Sequence, residues 1–223
     1  KRSTPENIMP FSAKYPKDRL GLSQWLFNEK NPLTARVADN RYWQMIYGTG
    51  LVATANDFGN QGSLPSHPRL LDWLAVDFME SGWDLKKLLK KMVTCNVYRQ
   101  TSIASPGLRE IDPENRLLAR GPSYRLQAEF IRNNALKSSG LLYEKLGGES
   151  AKPYQPKGLW EEKNNFSADL RYYKQNHDNN QYRNSLYTFI KRTSPPPYMS
   201  TFDMPGRDFC IVSRERTNTP LQA

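Results

Sequence analysis

Between Leu85 and Val93 the apolar residues recur with the period of a single helix face. Leu85, Leu88, Leu89, Met92 and Val93 stand at i, i+3, i+4, i+7 and i+8, while Lys86, Lys87, Lys90 and Lys91 fall on the opposite side. A stripe of this kind is stable only when another element covers it, so the chain must pack helices against something. Asp84 stands where a helix N-cap belongs, and the four lysines read as the wet face of the helix.

The flanking sequence supplies partners of the same type. Leu20, Leu22, Trp25, Leu26 and Phe27 suggest a short helix that ends near Asn31-Pro32. Asn31 is placed to cap a second helix running to Gly48, with Ala35, Ala38, Tyr42, Met45 and Ile46 along one side. Ser66-His67-Pro68 opens a third, which carries Leu70, Leu71, Trp73, Leu74, Phe78 and Met79 and stops near Gly82. Between these two lies a Gly-rich loop, residues 48–66. Residues 100–122 read as loop, punctuated by Pro106-Gly107, Asp112-Pro113 and Gly121-Pro122. A long helix with Ala128, Ile131, Ala135 and Leu142 in register is expected to close at Gly147-Gly148. Residues 149–181 show no clean period and read as an irregular excursion, 182–191 as strand or helix, and 209–212 as a short strand. No alternation of strands and helices appears, which argues against a doubly wound sheet. The expected fold is mainly α: an irregular helical domain over 19–223, with long loops, few or no short strands and an extended lead-in at 1–18. Thr219-Pro220 reads as a helix start with too few residues after it, so the domain is expected to be truncated at its C-terminus.

Composition narrows the function. With 32 Lys+Arg against 22 Asp+Glu the net charge is +10, but the excess is spread along the chain and forms no basic tail. Nucleic acid is therefore not expected as a partner. Two cysteines, Cys95 and Cys210, allow one disulfide at most and rule out zinc knuckles and covalent haem attachment in this chain. Cys95 lies beside the apolar stripe and reads as a buried thiol. No stretch reads as a membrane span or a signal peptide. The two histidines, His67 and His177, stand outside any ligand-spaced cluster, so neither a metal nor a cofactor is expected in this chain. Asp57-Phe58-Gly59 copies a kinase tripeptide without the other kinase motifs, and no Gly-x-Ser-x-Gly elbow nominates a serine nucleophile.

One helical face carries unusual chemistry. Arg36, Asn40, Trp43 and Tyr47 occur at i, i+4, i+7 and i+11, flanked by Arg41 and Gln44. Rings that stack beside fixed hydrogen-bond donors suit sugars and anionic ligands. The alternative is structural: these side chains order the Gly-rich loop through backbone hydrogen bonds. Asp57 and His67 complete the candidate binding set, and together with Arg41 they are the groups an enzyme reading would need in a pocket. A second polar and aromatic set, Tyr187, Arg192, Tyr198 and Phe202, surrounds the proline run at 195–197.

Several strings together resemble a known family. They include Asn31-Pro32-Leu33-Thr34-Ala35-Arg36-Val37, Pro65-Ser66-His67-Pro68, Ser81-Gly82-Trp83-Asp84 and Asp112-Pro113-Glu114-Asn115-Arg116-Leu117-Leu118-Ala119-Arg120. Lys152-Pro153-Tyr154-Gln155-Pro156 and Arg216-Thr217-Asn218-Thr219-Pro220-Leu221-Gln222-Ala223 extend the match. The chain resembles the planctomycete-type PSD-one domain of unknown function, in order and over nearly its whole length. The resemblance implies a C-terminal domain of large exported bacterial polypeptides, periplasmic or extracellular, often with a cytochrome c-like domain upstream. It supplies no catalytic residues. The expected function is thus a non-catalytic binding module whose partners are a glycan or the upstream domains of the same polypeptide. A carbohydrate-active or cytochrome-coupled oxidative enzyme, its site completed by further segments, is the alternative.

Overall fold

A computed structural model describes residues 4–163 and 170–223. Its regular elements are helices: α1 (Arg19–Leu26), α2 (Thr34–Tyr47), α3 (Pro68–Glu80), α4 (Leu85–Thr94), α5 (Asn96–Arg99), α6 (Pro106–Ile111), α7 (Ala128–Ser138) and α8 (Pro197–Thr201). Short 3-10 turns occupy Asn179–Tyr182, Ser185–Tyr187 and Pro220–Gln222. Among the described residues there is no strand, so the fold is mainly α. The chain forms two compact units, Lys1–Tyr124 and Arg125–Ala223.

In the first unit the helix ends follow from local chemistry. The Asn31 side chain accepts the backbone N–H groups of Leu33 and Thr34 at 3.0 and 3.3 Å and so starts α2. Gly48 at φ 90° ends it. At the end of α3, Gly82 adopts φ 72°; its N–H reaches Met79 O at 3.0 Å and that of Trp83 reaches Phe78 O at 2.9 Å. This is a Schellman closure, and the Trp83 ring lies edge-on to Phe78 at 5.1 Å, the apolar contact that goes with it. Asp84 then accepts from Lys87 N–H at 3.0 Å and caps α4. Leu88 and Met92 are buried and Lys86, Lys87 and Lys90 exposed, as the periodicity requires, but Val93 is exposed and Lys91 is half-buried where it pairs with Asp77. The core joins Trp43 and Tyr47 of α2, Leu51 and Val52 of the Gly-rich loop, Leu71, Leu74 and Phe78 of α3, and Leu88 and Met92 of α4.

The second unit is built around α7 and α8 with little regular structure between them. Its buried apolar residues include Ala128, Ala151, Trp160 and Met199. The expected long helix stops at Ser138, because Gly140 at φ 74° closes it with the same two hydrogen bonds seen after α3. Residues 182–191 are neither helix nor strand: a 3-10 turn and two isolated bridges, Tyr143 with Arg183 and Ala151 with Thr188, take that place. Residues 209–212 form no strand. Residues 100–122 are not wholly loop, since Ser105 accepts from Leu108 N–H at 3.3 Å and caps α6. Cys95 and Cys210 are both free thiols, Cys95 half-buried and Cys210 exposed. No helix among the described residues is long and apolar enough to cross a membrane.

Candidate functional site

The α2 face does not form one open surface. Asn40 is fully buried, Trp43 is 4% exposed and Tyr47 is 9% exposed. Asn40 donates from Nδ2 to Val52 O at 3.0 Å and accepts Val52 N–H on Oδ1 at 2.8 Å, a two-point clamp on the Gly-rich loop. Leu51 and Val52 are thereby held in the core, and Ser66 N–H closes the loop onto Leu51 O at 2.8 Å. Gly50 must be glycine, because a Cβ there would lie 2.6 Å from Asn40 Nδ2 and 2.7 Å from Val52 O. The rings of Trp43 and Tyr47 stack on each other at 4.0 Å and 14°, each covering one face of the other, and their burial closes off the rest to a sugar.

The Tyr47 hydroxyl is also committed. It donates to Met92 O at 2.9 Å and lies 3.1 Å from Cys95 Sγ, tying α2 to the end of α4. Burial, then the hydrogen bond to Cys95, pushes its pKa upward. Tyr47→Phe is expected to cost about 1 kcal/mol of stability, the net worth of one buried hydrogen bond, as read from urea unfolding. An unchanged midpoint would contradict this tie.

The remaining sequence candidates are scattered. Arg36 pairs with Asp72 at 2.7 Å and donates to Pro32 O. Arg41 is exposed and Gln44 half-buried. Asp57 accepts Gly59 N–H at 2.7 Å inside the loop's own turn. His67 precedes α3, with Nδ1 3.0 Å from Ser66 Oγ. Among the described residues, no three or more His, Cys, Asp or Glu side chains are grouped to hold a metal ion.

Asp39, one residue before the clamp, has no counterpart among the sequence candidates. It is fully buried and neither carboxylate oxygen has a hydrogen-bond partner. Burial first, and then the negative charge of Asp77 on α3, pushes its carboxyl up to about 7. Asp77 itself pairs with Lys91 of α4, whose ammonium also lies 5.1 Å above the Trp73 ring. With no exposed surface, Asp39 can titrate but cannot touch a substrate.

A ligand-accessible arrangement is present in the second unit. A cavity of about 400 Å³ is lined by Ala128, Ile131, Arg132, Ala135 and Leu136 of α7, by Pro153 and Tyr154, by Gln181 and Tyr182, and by Tyr198 and Phe202. The walls are mostly apolar carbon, and Tyr154 is 70% exposed. Arg132 is fixed by acceptors on the 3-10 turns: Nη1 donates to Arg183 O at 2.8 Å and to Ser185 Oγ at 3.3 Å, and Nη2 donates to Gln181 O at 2.6 Å. Asn133 accepts Ser185 N–H at 2.8 Å from the next position on α7. Behind them Arg183, 2% exposed, donates to Glu149 O, Lys145 O and Gly147 O at 2.6 to 2.9 Å and lies 3.9 Å over the Tyr187 ring.

Among the described residues, no carboxylate pairs with the guanidinium of Arg132. Desolvation lowers its pKa, countered by Tyr198 and Tyr173. Glu129, on the same helix, is held by Arg214 at 2.6 and 3.2 Å, and its carboxyl lies below the usual range through that pairing, against the opposing effect of burial. Burial raises the Tyr198 hydroxyl, which stands 3.4 Å from Thr188 Oγ1. The second polar and aromatic set read from sequence thus divides. Tyr198 and Phe202 line the cavity, Tyr187 packs under Arg183, and Arg192 pairs with Asp208 at 3.3 Å. Arg132 was missed, because a lone arginine in a helix register carries no signal until the turns that hold it are known.

The motif strings that looked familiar are largely scaffold. Asp112, 5% exposed, accepts Arg116 and Leu117 N–H at 2.8 and 2.7 Å, while Arg116 reaches Gly50 O and Leu51 O. Lys152 N–H donates to Asn176 at 2.6 Å, and Tyr173 Oη donates to Pro153 O. No curated protein and no solved structure matches the chain. A family model described as PSD1, protein of unknown function (DUF1553), matches residues 18–223, and the chain belongs to that family.

Proposed function

We propose that the chain is a non-catalytic binding module of an exported multidomain bacterial protein, and that it binds a glycan in the cavity between α7 and α8. The observation that carries this reading is the cavity itself: aromatic side chains of Tyr154, Tyr182, Tyr198 and Phe202 around one oriented guanidinium. Sugar rings present C–H faces to aromatic rings and hydroxyls to fixed polar groups, and apolar walls with few placed donors suit that recognition. The volume of about 400 Å³ accommodates a short saccharide segment. Export, and cytochrome-type neighbours in the same polypeptide, rest on the family resemblance.

Tyr154 is the ring most open to solvent and contributes least to the core, so it tests the reading cleanly. On a glycan array followed by calorimetry, the chain is expected to bind oligosaccharides, and Tyr154→Ala to weaken that binding about tenfold with unchanged unfolding. Binding that is indifferent to Tyr154→Ala, or no glycan binding at all, would overturn it. Capture of an upstream domain in place of any glycan would move the function to partner docking.

A further inference from the structure

The chemistry left over at Arg132 goes further than glycan binding and rests on that reading. A guanidinium carries five N–H groups. Three acceptors engage Nη1 twice and Nη2 once, so the Nε–H and one N–H of Nη2 have no acceptor among the described residues. Among the described residues, no acidic side chain lines the cavity. The nearby acid, Glu129, is taken in both oxygens by Arg214. The positive charge is therefore partly desolvated and fixed in orientation, with no counter-charge among the described residues, in a site whose walls offer rings.

We infer that the cavity selects acidic glycans, with the carboxylate of a hexuronate residue received by the two remaining N–H groups of Arg132 while the sugar ring lies against the tyrosines. A planar carboxylate matches the fixed fork of a guanidinium and brings the compensating charge the site lacks. A neutral hexose offers only hydroxyls there and leaves the cation without a counter-charge. Arg132 is a binding residue in this account, and Gln181, Arg183 and Ser185 position it through their oxygens.

The test compares three oligosaccharides of equal length and linkage on the unaltered 223-residue chain: a neutral hexose oligomer, its hexuronate-containing counterpart and its sulfate ester. The hexuronate form is expected to bind about ten- to hundredfold more tightly than the neutral one, with an advantage that shrinks as salt rises. Arg132→Gln is expected to level the two. Because Arg132 also holds the 3-10 turns, its variants are read only beside circular dichroism. The three-ligand comparison on the unaltered chain stands without them. Equal affinity for neutral and hexuronate oligomers would overturn the acidic selection and leave the glycan reading in place. Tighter binding of the sulfate ester would overturn the carboxylate assignment. Binding of none of the three would overturn both.

Discussion

Asp39→Asn is expected to stabilise the protein above neutral pH, by an amount on the order of 4 kcal/mol at pH 8. The Asp39 carboxyl is fully buried, without hydrogen bonds, and raised from 3.8 to about 7 in the folded chain. The folded state holds the Asp39 proton more tightly than the unfolded state does. The associated stability is therefore complete below the unfolded pKa and is lost as pH climbs from about 4 to about 7. Above that window the ionised carboxylate sits buried near Asp77, whose own charge is turned toward Lys91. Asparagine mimics the protonated acid in size and polarity, so wild type and variant should coincide near pH 4 and diverge toward pH 8. Urea unfolding at a series of pH values reads the difference directly. Parallel curves for the two proteins would show that Asp39 finds a partner or solvent in the folded state.

The second large effect belongs to the neighbouring residue. Asn40→Ala removes both hydrogen bonds to Val52 and leaves that peptide's N–H and C=O without partners in the core. Each buried unsatisfied group costs about 1–3 kcal/mol, so the loss should approach roughly 4 kcal/mol. Gly50→Ala should act on the same clamp, since its new methyl would collide with the Asn40 amide and with Val52 O. Arg41→Ala, one residue further along α2 and exposed, should stay within about 0.5 kcal/mol of wild type. Hydrogen exchange would place the damage at residues 50–53. An Asn40→Ala protein of full stability that had lost only glycan binding would return Asn40 to the role of a ligand residue.

How far the sequence could be read depended on whether the determining contacts were local. The stripe at Leu85–Val93, the Asp84 cap and the Gly82 stop are short-range features, and each formed where the pattern put it. Gly140 could have been read as a helix stop, but apolar residues continuing past it in register suggested a longer α7. The α2 face shows the other limit. Helical spacing correctly put Asn40, Trp43 and Tyr47 on neighbouring positions, yet spacing alone cannot say whether such a face looks at solvent or at a folded-back loop. The loop decided it, through Leu51 and Val52, whose burial becomes visible only with the tertiary structure. The cavity of the second unit draws residues from 128 to 202, most of them in segments with no periodicity, so no local signal could assemble it. Tyr198 and Phe202 stand out in the sequence only as members of the polar and aromatic set around the prolines at 195–197.

Under the proposed function, ligand recognition belongs to the α7–α8 cavity and the polar face of α2 is structural. Hydrogen–deuterium exchange of the full chain, with and without a saturating hexuronate oligosaccharide, separates these two regions. Added protection is expected at residues 128–136, 153–154, 181–182 and 198–202, with residues 36–67 unchanged. Protection concentrated at 36–67 with none around Arg132 would contradict it.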